Sequence, residues 1–322
     1  MEYRKLGNSG IKVSEIGLGG NTFGENERQA WGIDEGPSIS IINHALELGI
    51  NFIDTSNWYG NRGRSEEIIG KAIKGKRSKV IVATKFGLPM GEGPNNSGGS
   101  RHHILQAVND SLRRLDTDYI DLYQMHKPDP DTPMEETLRT LDDLVKSGKV
   151  RYIACSNFNA WLLNDAMWIS HTKNLNSFVT VQTRFNLLDR SIETELVPCA
   201  QANNIGIIPW GPLAGGFLTG KYKKEQAPEP GTRFAKPPPI YEDFWSNANF
   251  EKLAGLEKFA EEHGHRVGEL AISWLLTKPW VSTVIAGAHT LEQVSQTVSA
   301  ARWKLTREET LLVDSITLPH KL

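Results

Sequence analysis

Four residues with different acid–base chemistry stand at or just beyond the ends of short apolar runs: Asp54, Tyr59, Lys85 and His126. Lys85 ends the run Val-Ile-Val-Ala-Thr-Lys, and His126 follows Ile-Asp-Leu-Tyr-Gln-Met. Neighbouring parallel strands lie about 4.8 Å apart, so side chains at their carboxyl ends can meet over one opening. A carboxylate, a phenol, an ammonium and an imidazole gathered there would form a proton-transfer device.

The chemistry of this set favours reduction of a carbonyl group. An ammonium beside a phenol favours the phenolate, so Lys85 is predicted to lower the pKa of Tyr59 from about 10. Asp54 would hold Lys85 charged and aimed, and His126 can donate a hydrogen bond to a substrate oxygen. Tyr59 could then protonate a developing alkoxide near neutral pH. The natural source of electrons at the carbon is a hydride from a nicotinamide cofactor.

Eight apolar runs alternate with stretches of helical periodicity, which predicts a (β/α)₈ TIM barrel in the α/β class. The runs are Ser14–Leu18, Phe52–Asp54, Val80–Lys85, Tyr119–Gln124, Tyr152–Cys155, Val179–Gln182, Gly206–Trp210 and Thr283–Ala286. The alternative is an open doubly wound sheet. Against it, the glycines of Gly17–Gly24 have the wrong spacing for a GxGxxG dinucleotide fingerprint.

Other segments depart from this repeat. Tyr3–Val13 predicts an N-terminal β-hairpin with its turn at Asn-Ser-Gly. Three long polar or glycine- and proline-rich segments follow strands, at Gly24–Pro37, Phe86–Ser100 and Tyr222–Phe250. We expect them on the C-terminal face of the barrel, where loops of this length serve as lids or pocket walls.

Capping signals mark the starts of several helical stretches. The helices are predicted over Ser38–Leu48, Ser65–Ile73, His103–Leu115, Met134–Ser147 and Thr306–Ile316. Thr132 with Glu135, and Thr306 with Glu309, have the spacing of a capping box, in which hydroxyl and carboxylate satisfy free amides of the first turn.

Bulk composition narrows the class of protein. The 322 residues are expected to form one barrel domain over 1–322, and the net charge of −2 disfavours nucleic acid or an anionic membrane as a partner. No apolar run is long enough to span a bilayer or to form a signal peptide. The two cysteines, Cys155 and Cys199, rule out a disulfide framework and indicate a reducing, cytoplasmic location.

Several segments resemble the aldo-keto reductase superfamily, in particular its branch of bacterial oxidoreductases and potassium-channel β subunits. The matching segments are Gly49–Thr55, Tyr59–Gly60, Gly63–Glu67, Asp121–His126, Gly148–Asn157 and Pro212–Tyr222. The resemblance covers nearly the whole chain. It implies a (β/α)₈ barrel with NADPH or NADH across its mouth, Tyr59 as the proton donor, and supporting roles for Asp54, Lys85 and His126.

The resemblance also implies cofactor contacts. Ser156, Asn157 and Gln182 would bind the nicotinamide carboxamide, Trp210 would stack on its ring, and the loop from Gly211 to Lys221 would wrap the pyrophosphate through its amides. The full set of expected contacts is Gly20, Asn21, Asp54, Ser156, Asn157, Gln182, Trp210, Gly211, Pro212, Leu213, Gly216, Lys221, Arg233, Gly287, His289, Thr290, Gln293 and Thr297.

The segment that corresponds to the family's adenosine-phosphate site, Val284–Thr297, departs from the family pattern. Ala286, His289 and Thr297 stand where the family often has proline, a small or basic residue and asparagine, while Gln293 is retained. No lysine or arginine occurs between residues 279 and 302, so a charged clamp for a 2′-phosphate is weak there. NADP is the expected cofactor, with NAD or dual use left open, and a protonated His289 could bind the phosphate.

The expected substrate is a small carbonyl compound or its alcohol, including a sugar or cyclic carbonyl. Four aromatic residues are the expected pocket walls: Trp31, Trp58, Phe86 and Trp245. The alternative function is a regulatory subunit that binds the cofactor with little turnover. A metal-dependent hydrolase is disfavoured because the remaining histidines are expected in helices rather than in clusters at strand ends. An assembly of identical chains is left open.

Overall fold

Eight parallel strands form the central sheet of the chain, described here by a computed structural model for residues 1–25 and 31–318. The strands of the chain are β1 Tyr3–Lys5, β2 Lys12–Ser14, β3 Ile16–Gly19, β4 Phe52–Asp54, β5 Ile81–Phe86, β6 Ile120–Met125, β7 Val150–Ser156, β8 Thr180–Arg184, β9 Gly206–Trp210 and β10 Val284–Gly287. β1 and β2 pair antiparallel, which confirms the predicted hairpin. The other eight run in the order β10-β3-β4-β5-β6-β7-β8-β9.

The sheet curls until its two edge strands meet. The peptide N–H of Ile207 in β9 donates to the carbonyl of Trp280, and the N–H of Ser282 donates back to Ile207, each at 2.9 Å. Trp280 and Ser282 lie just before β10, so the ring is closed by the segment leading into that strand. The barrel prediction is confirmed, and each strand starts and ends within two residues of its predicted run.

Helices cover the outside of the barrel. They are α1 Glu35–Glu47, α2 Tyr59–Ile73, α3 Arg101–Leu115, α4 Met134–Lys146, α5 Ala160–Thr172, α6 Leu196–Ala202, α7 Pro239–Glu242, α8 Asn247–Glu262, α9 Val267–Leu276, α10 Leu291–Ala300 and α11 Arg307–Thr317. The backbone of α2 leaves helical geometry at residues 60–63, so its regular part starts after the predicted catalytic tyrosine. Apolar helix faces and the outward side chains of the strands form the larger core.

Alternation along β5 decides what faces the barrel interior. Ala83 belongs to the interior cluster, whereas Val82 and Phe86 belong to the layer between strands and helices. Because successive strand side chains point to opposite faces, Lys85 shares the inward side of Ala83. The strand thus brings its lysine into the barrel mouth and sends the next residue into the outer core.

The hairpin closes the amino-terminal end of the barrel. Leu6 and Val13 are fully buried among interior side chains of the strands. Gly7 has a φ of +57° and lies so close to the strands that an added Cβ would be 1.8 Å from the carbonyl oxygen of Val179. Only glycine combines this backbone conformation with so close an approach, so Gly7 lets the hairpin seal the floor.

One of the two predicted capping boxes is present. At α11, Thr306 Oγ1 accepts from the N–H of Glu309 at 3.2 Å, and the Glu309 carboxylate accepts from the N–H of Thr306 at 2.6 Å. The prediction for α4 is wrong, because Pro133 occupies the cap position. Thr132 instead donates its hydroxyl hydrogen to Asp129 at 2.7 Å, since that carboxylate is the stronger acceptor within reach.

Candidate active site

A cavity of about 940 Å³ opens at the carboxyl ends of the strands. Its walls include Asp54, Tyr59 and His126, the loop after β9, Gly287 at the end of β10 and Gln293 in α10. All of these positions follow parallel strands, whose carboxyl ends face the same side of a barrel. The predicted acid–base residues and most of the expected cofactor contacts therefore surround one space.

Lys85 lies fully buried between Asp54 and Tyr59. Its Nζ donates to Asp54 Oδ2 at 2.6 Å and to the carbonyl oxygen of Thr55 at 2.9 Å, and it lies 3.4 Å from the Tyr59 hydroxyl. Each of the three ammonium hydrogens thus has an oxygen within reach. The cation is held in a fixed place directly behind the phenol that lines the cavity.

The second oxygen of Asp54 is also occupied. Asp54 Oδ1 accepts from Gln124 Nε2 at 3.0 Å and from Gln182 Nε2 at 2.8 Å. The carboxylate is only 3% exposed, so these amides and the ammonium replace the water it has lost. Asp54 is therefore fixed as the counterion of Lys85 rather than left to accept protons from a substrate.

Burial and the charges of Lys85 and Asp54 determine the protonation states of Lys85 and Tyr59. Burial lowers the pKa of Lys85, but Asp54 and Tyr59 together more than offset it, and the pKa lies above its usual value. Burial raises the pKa of Tyr59, against the opposing effect of Lys85. The predicted lowering of the Tyr59 pKa is thus wrong, because burial outweighs the lysine charge and Asp54 offsets part of that charge. Tyr59 stays protonated and available as an acid.

His126 stands directly after β6, across from the phenol. Its ring meets the Tyr59 ring edge-on, with centroids 5.7 Å apart. Its Nδ1 lies 3.1 Å from the hydroxyl oxygen of Ser56, a residue that sequence reasoning passed over. Burial and the charges of Lys85 and Lys127 hold the pKa of His126 well below its usual range. The imidazole is therefore neutral at physiological pH.

Hydrogen bonds connect the polar residues at the ends of β7 and β9, which are Ser156, Asn157 and Trp210. Asn157 donates from Nδ2 to the carbonyl of His126 at 2.9 Å and lies 3.1 Å from Ser156 Oγ. Its Oδ1 accepts from Trp210 Nε1 at 3.0 Å. Asn157 has a φ of +61°, a conformation asparagine tolerates better than most residues. The Asn157 amide thus connects the His126 backbone to the Trp210 indole, and Asn157, Ser156, Gln182 and Trp210 all line the cavity.

The loop after β9 forms a curved wall of backbone. Gly211, Ala214, Gly215 and Gly216 all have positive φ values, between 48° and 99°. A Cβ on Gly216 would be 3.3 Å from Cε of Lys221, so glycine lets the lysine side chain lie across the loop. Successive residues of this kind turn amides toward one side, which suits an anion.

Arg233 and His289 join that wall to the segment after β10. The guanidinium of Arg233 lies 4.9 Å from the ring centroid of Trp31 and donates to the Tyr241 hydroxyl at 3.3 Å. His289 Nε2 is 3.0 Å from the carbonyl oxygen of Trp31. Burial lowers the pKa of His289, and Arg233 and Lys221 lower it further. These effects outweigh the contact with the Trp31 carbonyl and favour the neutral form of His289.

A few predicted site residues lie off the cavity wall. Phe86 is fully buried and stacks on Tyr123 at 4.8 Å, and Trp245 packs against Phe217 and other rings of the third long loop. Phe86 and Trp245 are therefore not among the residues that line this cavity. Gly20 lies behind the wall, its N–H donating to the Asp54 carbonyl at 2.7 Å, and Thr290 caps α10.

The remaining expected contacts lie on the cavity wall. They are Asn21, Pro212, Leu213, Thr297, Trp31 and Trp58, together with the residues already placed there. Part of the first long loop, residues 26–30, lies outside the described residues.

Several wall residues escaped sequence reasoning. Arg266 lines the cavity from the cap position of α9, Leu88 and Lys127 line it from loops, and Tyr241 lines it from α7. Lys127 could have been found, because it follows the predicted catalytic histidine. Arg266 had no local signal, since only the packing of α9 beside α10 brings it to the site.

The described residues contain neither a transmembrane helix nor a metal cluster. Within 1–25 and 31–318, no helix is long and apolar enough to cross a membrane. In the same ranges no three His, Cys, Asp or Glu side chains are grouped to hold a metal ion.

Comparison with known proteins places the chain in a family. The sequence model of the aldo/keto reductase family matches residues 15–317. The chain is 38% identical to the uncharacterized oxidoreductase YrpG of Bacillus subtilis, over 98% of this chain and 96% of that protein. It is 34% identical to versiconal hemiacetal acetate reductase of Aspergillus parasiticus, over 100% and 98%. It is 36% identical to a probable voltage-gated potassium channel subunit beta of Arabidopsis thaliana, over 93% and 91%. The chain belongs to the aldo/keto reductase family, whose members it resembles in fold as well as sequence, and is a carbonyl/alcohol oxidoreductase.

Proposed function

We propose that the chain interconverts an aldehyde or ketone and its alcohol with NADPH or NADH, and that Tyr59 is the general acid and base. The observation that carries this proposal is the buried Lys85, which contacts both Asp54 and the Tyr59 hydroxyl at the wall of the cavity. A charged lysine fixed behind a phenol stabilises the phenolate after the proton has left.

The residues on the wall divide the proton chemistry between them. Tyr59, protonated because of its raised pKa, donates to the oxygen of a carbonyl bound in the cavity. Lys85 then stabilises the phenolate, and Asp54 keeps Lys85 charged. His126 stands beside Tyr59 as a neutral ring that can donate a second hydrogen bond to the same oxygen. In the reverse direction the phenolate takes the hydroxyl proton of an alcohol.

The cavity has the size and polar groups that a nicotinamide dinucleotide requires. When bound, the cofactor supplies or accepts the hydride at carbon. The Ser156 hydroxyl and the Gln182 carbonyl oxygen fit a carboxamide, which both donates and accepts. The indole Nε1–H of Trp31 is buried on the cavity wall with no partner among the described residues. A ligand oxygen would satisfy it, which supports occupation of this part of the cavity.

The charges on the wall support NADP as the preferred cofactor. Lys221, Arg233 and Arg266 all line the cavity, and in the α9 segment the carboxylate of Glu269 lines it as well. Two cations suffice for a pyrophosphate, and Arg266 stands on α9 beside α10, the helix that carries Gln293 and Thr297. We assign Arg266 to the 2′-phosphate in the place of the missing basic residue after β10.

The test is oxidation of NADPH or NADH by the purified chain in the presence of 4-nitrobenzaldehyde and a panel of ketones and sugars. We expect Tyr59→Phe to lower kcat by about 10²- to 10⁴-fold, the usual contribution of a general acid, without changing the dissociation constant of the cofactor. Tyr123→Phe is the matched control, because its hydroxyl is buried without a partner in the described part of the chain and Tyr123 lies off the cavity wall.

Two results would count against the proposal. Equal turnover in Tyr59→Phe and the parent chain would refute the role of Tyr59. Tight cofactor binding without oxidation by any carbonyl compound would favour the alternative, a regulatory subunit like the potassium-channel relatives.

A further inference from the structure

Ser56 makes the one side-chain hydrogen bond recorded for the His126 ring among the described residues. It follows β4 by two residues and is fully buried. The Ser56 hydroxyl oxygen lies 3.1 Å from His126 Nδ1, 3.1 Å from the peptide nitrogen of Trp58 and 3.5 Å from Asn57 Oδ1. These three contacts decide which nitrogen of the imidazole carries its hydrogen.

The contact with Trp58 determines how one lone pair of the Ser56 hydroxyl oxygen is used. A peptide N–H can only donate, so it occupies one lone pair of Ser56 Oγ. The hydroxyl hydrogen must then point to one of the two remaining neighbours. Asn57 Oδ1, at 3.5 Å, is far beyond the usual length of an O–H···O bond, whereas His126 Nδ1, at 3.1 Å, is within reach.

Two arrangements are therefore possible for the ring. If Ser56 donates to Nδ1, both hydroxyl functions are satisfied and the ring hydrogen lies on Nε2. If Nδ1–H donates to Ser56, the hydroxyl hydrogen is left with the long contact to Asn57, and the full burial of Ser56 keeps solvent from replacing the lost acceptor. An unsatisfied buried donor is costly, and so the first arrangement is the stable one.

We propose that Ser56 is a positioning residue that holds His126 as the neutral Nε2–H tautomer, so that the ring presents a donor to the substrate oxygen. The inference rests on the proposed function, because a donor at Nε2 matters only if a carbonyl oxygen is bound there. The doubly protonated ring is disfavoured by burial and by the charges of Lys85 and Lys127. Because the His126 ring is neutral, the Ser56 hydroxyl determines which of the two neutral tautomers is favoured.

The direct test is nitrogen NMR of the chain with ¹⁵N-labelled histidine. The His126 signals are assigned by their loss in His126→Gln, since the chain contains 9 histidines. We expect a bare Nδ1 and a protonated Nε2 in the parent chain. Signals showing a protonated Nδ1 would overturn the proposal. This measurement needs neither turnover nor a Ser56 variant, so its outcome is separate from that of the proposed function.

Variants connect the tautomer to catalysis. Ser56→Ala removes the donor, and we expect a mixture of tautomers and a kcat lowered about tenfold, the rate equivalent of one hydrogen bond. KM for the carbonyl compound should change less, and Ser56→Thr, which keeps the hydroxyl, should restore the parent tautomer. Unchanged nitrogen signals and kcat in Ser56→Ala would refute the proposal.

Ser65→Ala is the matched control for the nitrogen signals. Its hydroxyl is also fully buried, donating to the Gly20 carbonyl at 2.7 Å, but does not contact His126. We expect the His126 signals of this variant to match those of the parent chain. A tautomer shift in Ser65→Ala as large as in Ser56→Ala would show a general effect of losing a buried hydroxyl and would overturn the assignment.

Discussion

Asp54→Asn isolates the energetic role of the buried pair, because it removes one charge and almost no volume. In the parent chain Asp54 accepts from the Lys85 ammonium at 2.6 Å and from the amides of Gln124 and Gln182. Every one of these partners is a donor. The new amide group of asparagine must therefore point its own N–H₂ either at the ammonium or at the glutamines.

The expected loss of stability follows from the burial of Lys85. Removing one partner of a buried ion pair leaves the other charge without compensation, which costs about 3–5 kcal/mol. Lys85 is 0% exposed, so solvent cannot replace the carboxylate. With about 2.1 cal/mol/K of unfolding entropy per residue over 322 residues, the melting temperature should fall by about 4–7 °C.

The loss should also depend on pH. In the parent chain burial lowers the pKa of Lys85, but Asp54 and Tyr59 together more than offset it, and the pKa lies above its usual value. That stabilisation is complete below the unfolded pKa of about 10.4 and is lost only as the pH rises through the higher folded value. In Asp54→Asn the contribution of Asp54 is lost and burial is the largest remaining effect. We therefore expect a lowered pKa of Lys85 and a loss of stability that is largest near neutral pH and shrinks toward about pH 10.

Calorimetry across this pH range, with Asp54→Asn/Lys85→Met alongside, provides the measurement. Removing both charges should recover much of the stability at neutral pH, because no uncompensated ion remains. A deficit that is the same at neutral and alkaline pH, or a double variant no more stable than Asp54→Asn, would refute the reasoning.

Two further predictions concern the cofactor and the barrel floor. Arg266→Gln should raise KM for NADPH about tenfold or more while leaving KM for NADH nearly unchanged, because only NADPH carries a 2′-phosphate. Arg233→Gln, by contrast, should raise KM for both cofactors. Steady-state kinetics with each cofactor distinguish the two cases. Gly7→Ala should cost about 3 kcal/mol or more, from its φ of +57° and the clash with Val179. Gly10→Ala is its control, since nothing lies within 4 Å of an added Cβ there, and equal melting temperatures of the two variants would contradict this account.

The strands and the acid–base group could be predicted because their signals are local. Short apolar runs at regular intervals determine parallel strands, and a polar residue at the end of such a run has only the barrel mouth to occupy. Lys85 is the clearest example. The position after it shows the limit: Phe86 follows Lys85 directly, so strand alternation alone excludes it from the same wall, a constraint that the expected aromatic pocket did not apply.

Other features depend on contacts that sequence does not display. Arg266 and Gln293 belong to different helices, and only their packing brings them to one cavity. The direction of the Tyr59 pKa depends on the balance between burial, Lys85 and Asp54. Residue types reveal the charges in that balance but not the loss of solvent. Ser56 was overlooked because a serine beside a motif has no significance until its distance to His126 is known.

The floor of the barrel joins the first few residues of the chain to residues that follow far later. Arg4 Nη2 donates to the carbonyl of Leu276 at 2.7 Å, and the N–H of Gly7 donates to Ser282 Oγ at 3.0 Å, across 272 and 275 residues. A ribosome must therefore complete most of the polypeptide before the nascent hairpin finds its partners. Long loop closures are entropically costly and slow. We expect barrel closure to be the last step of folding. Until then, the strands synthesised earlier form an open sheet that chaperones can reach.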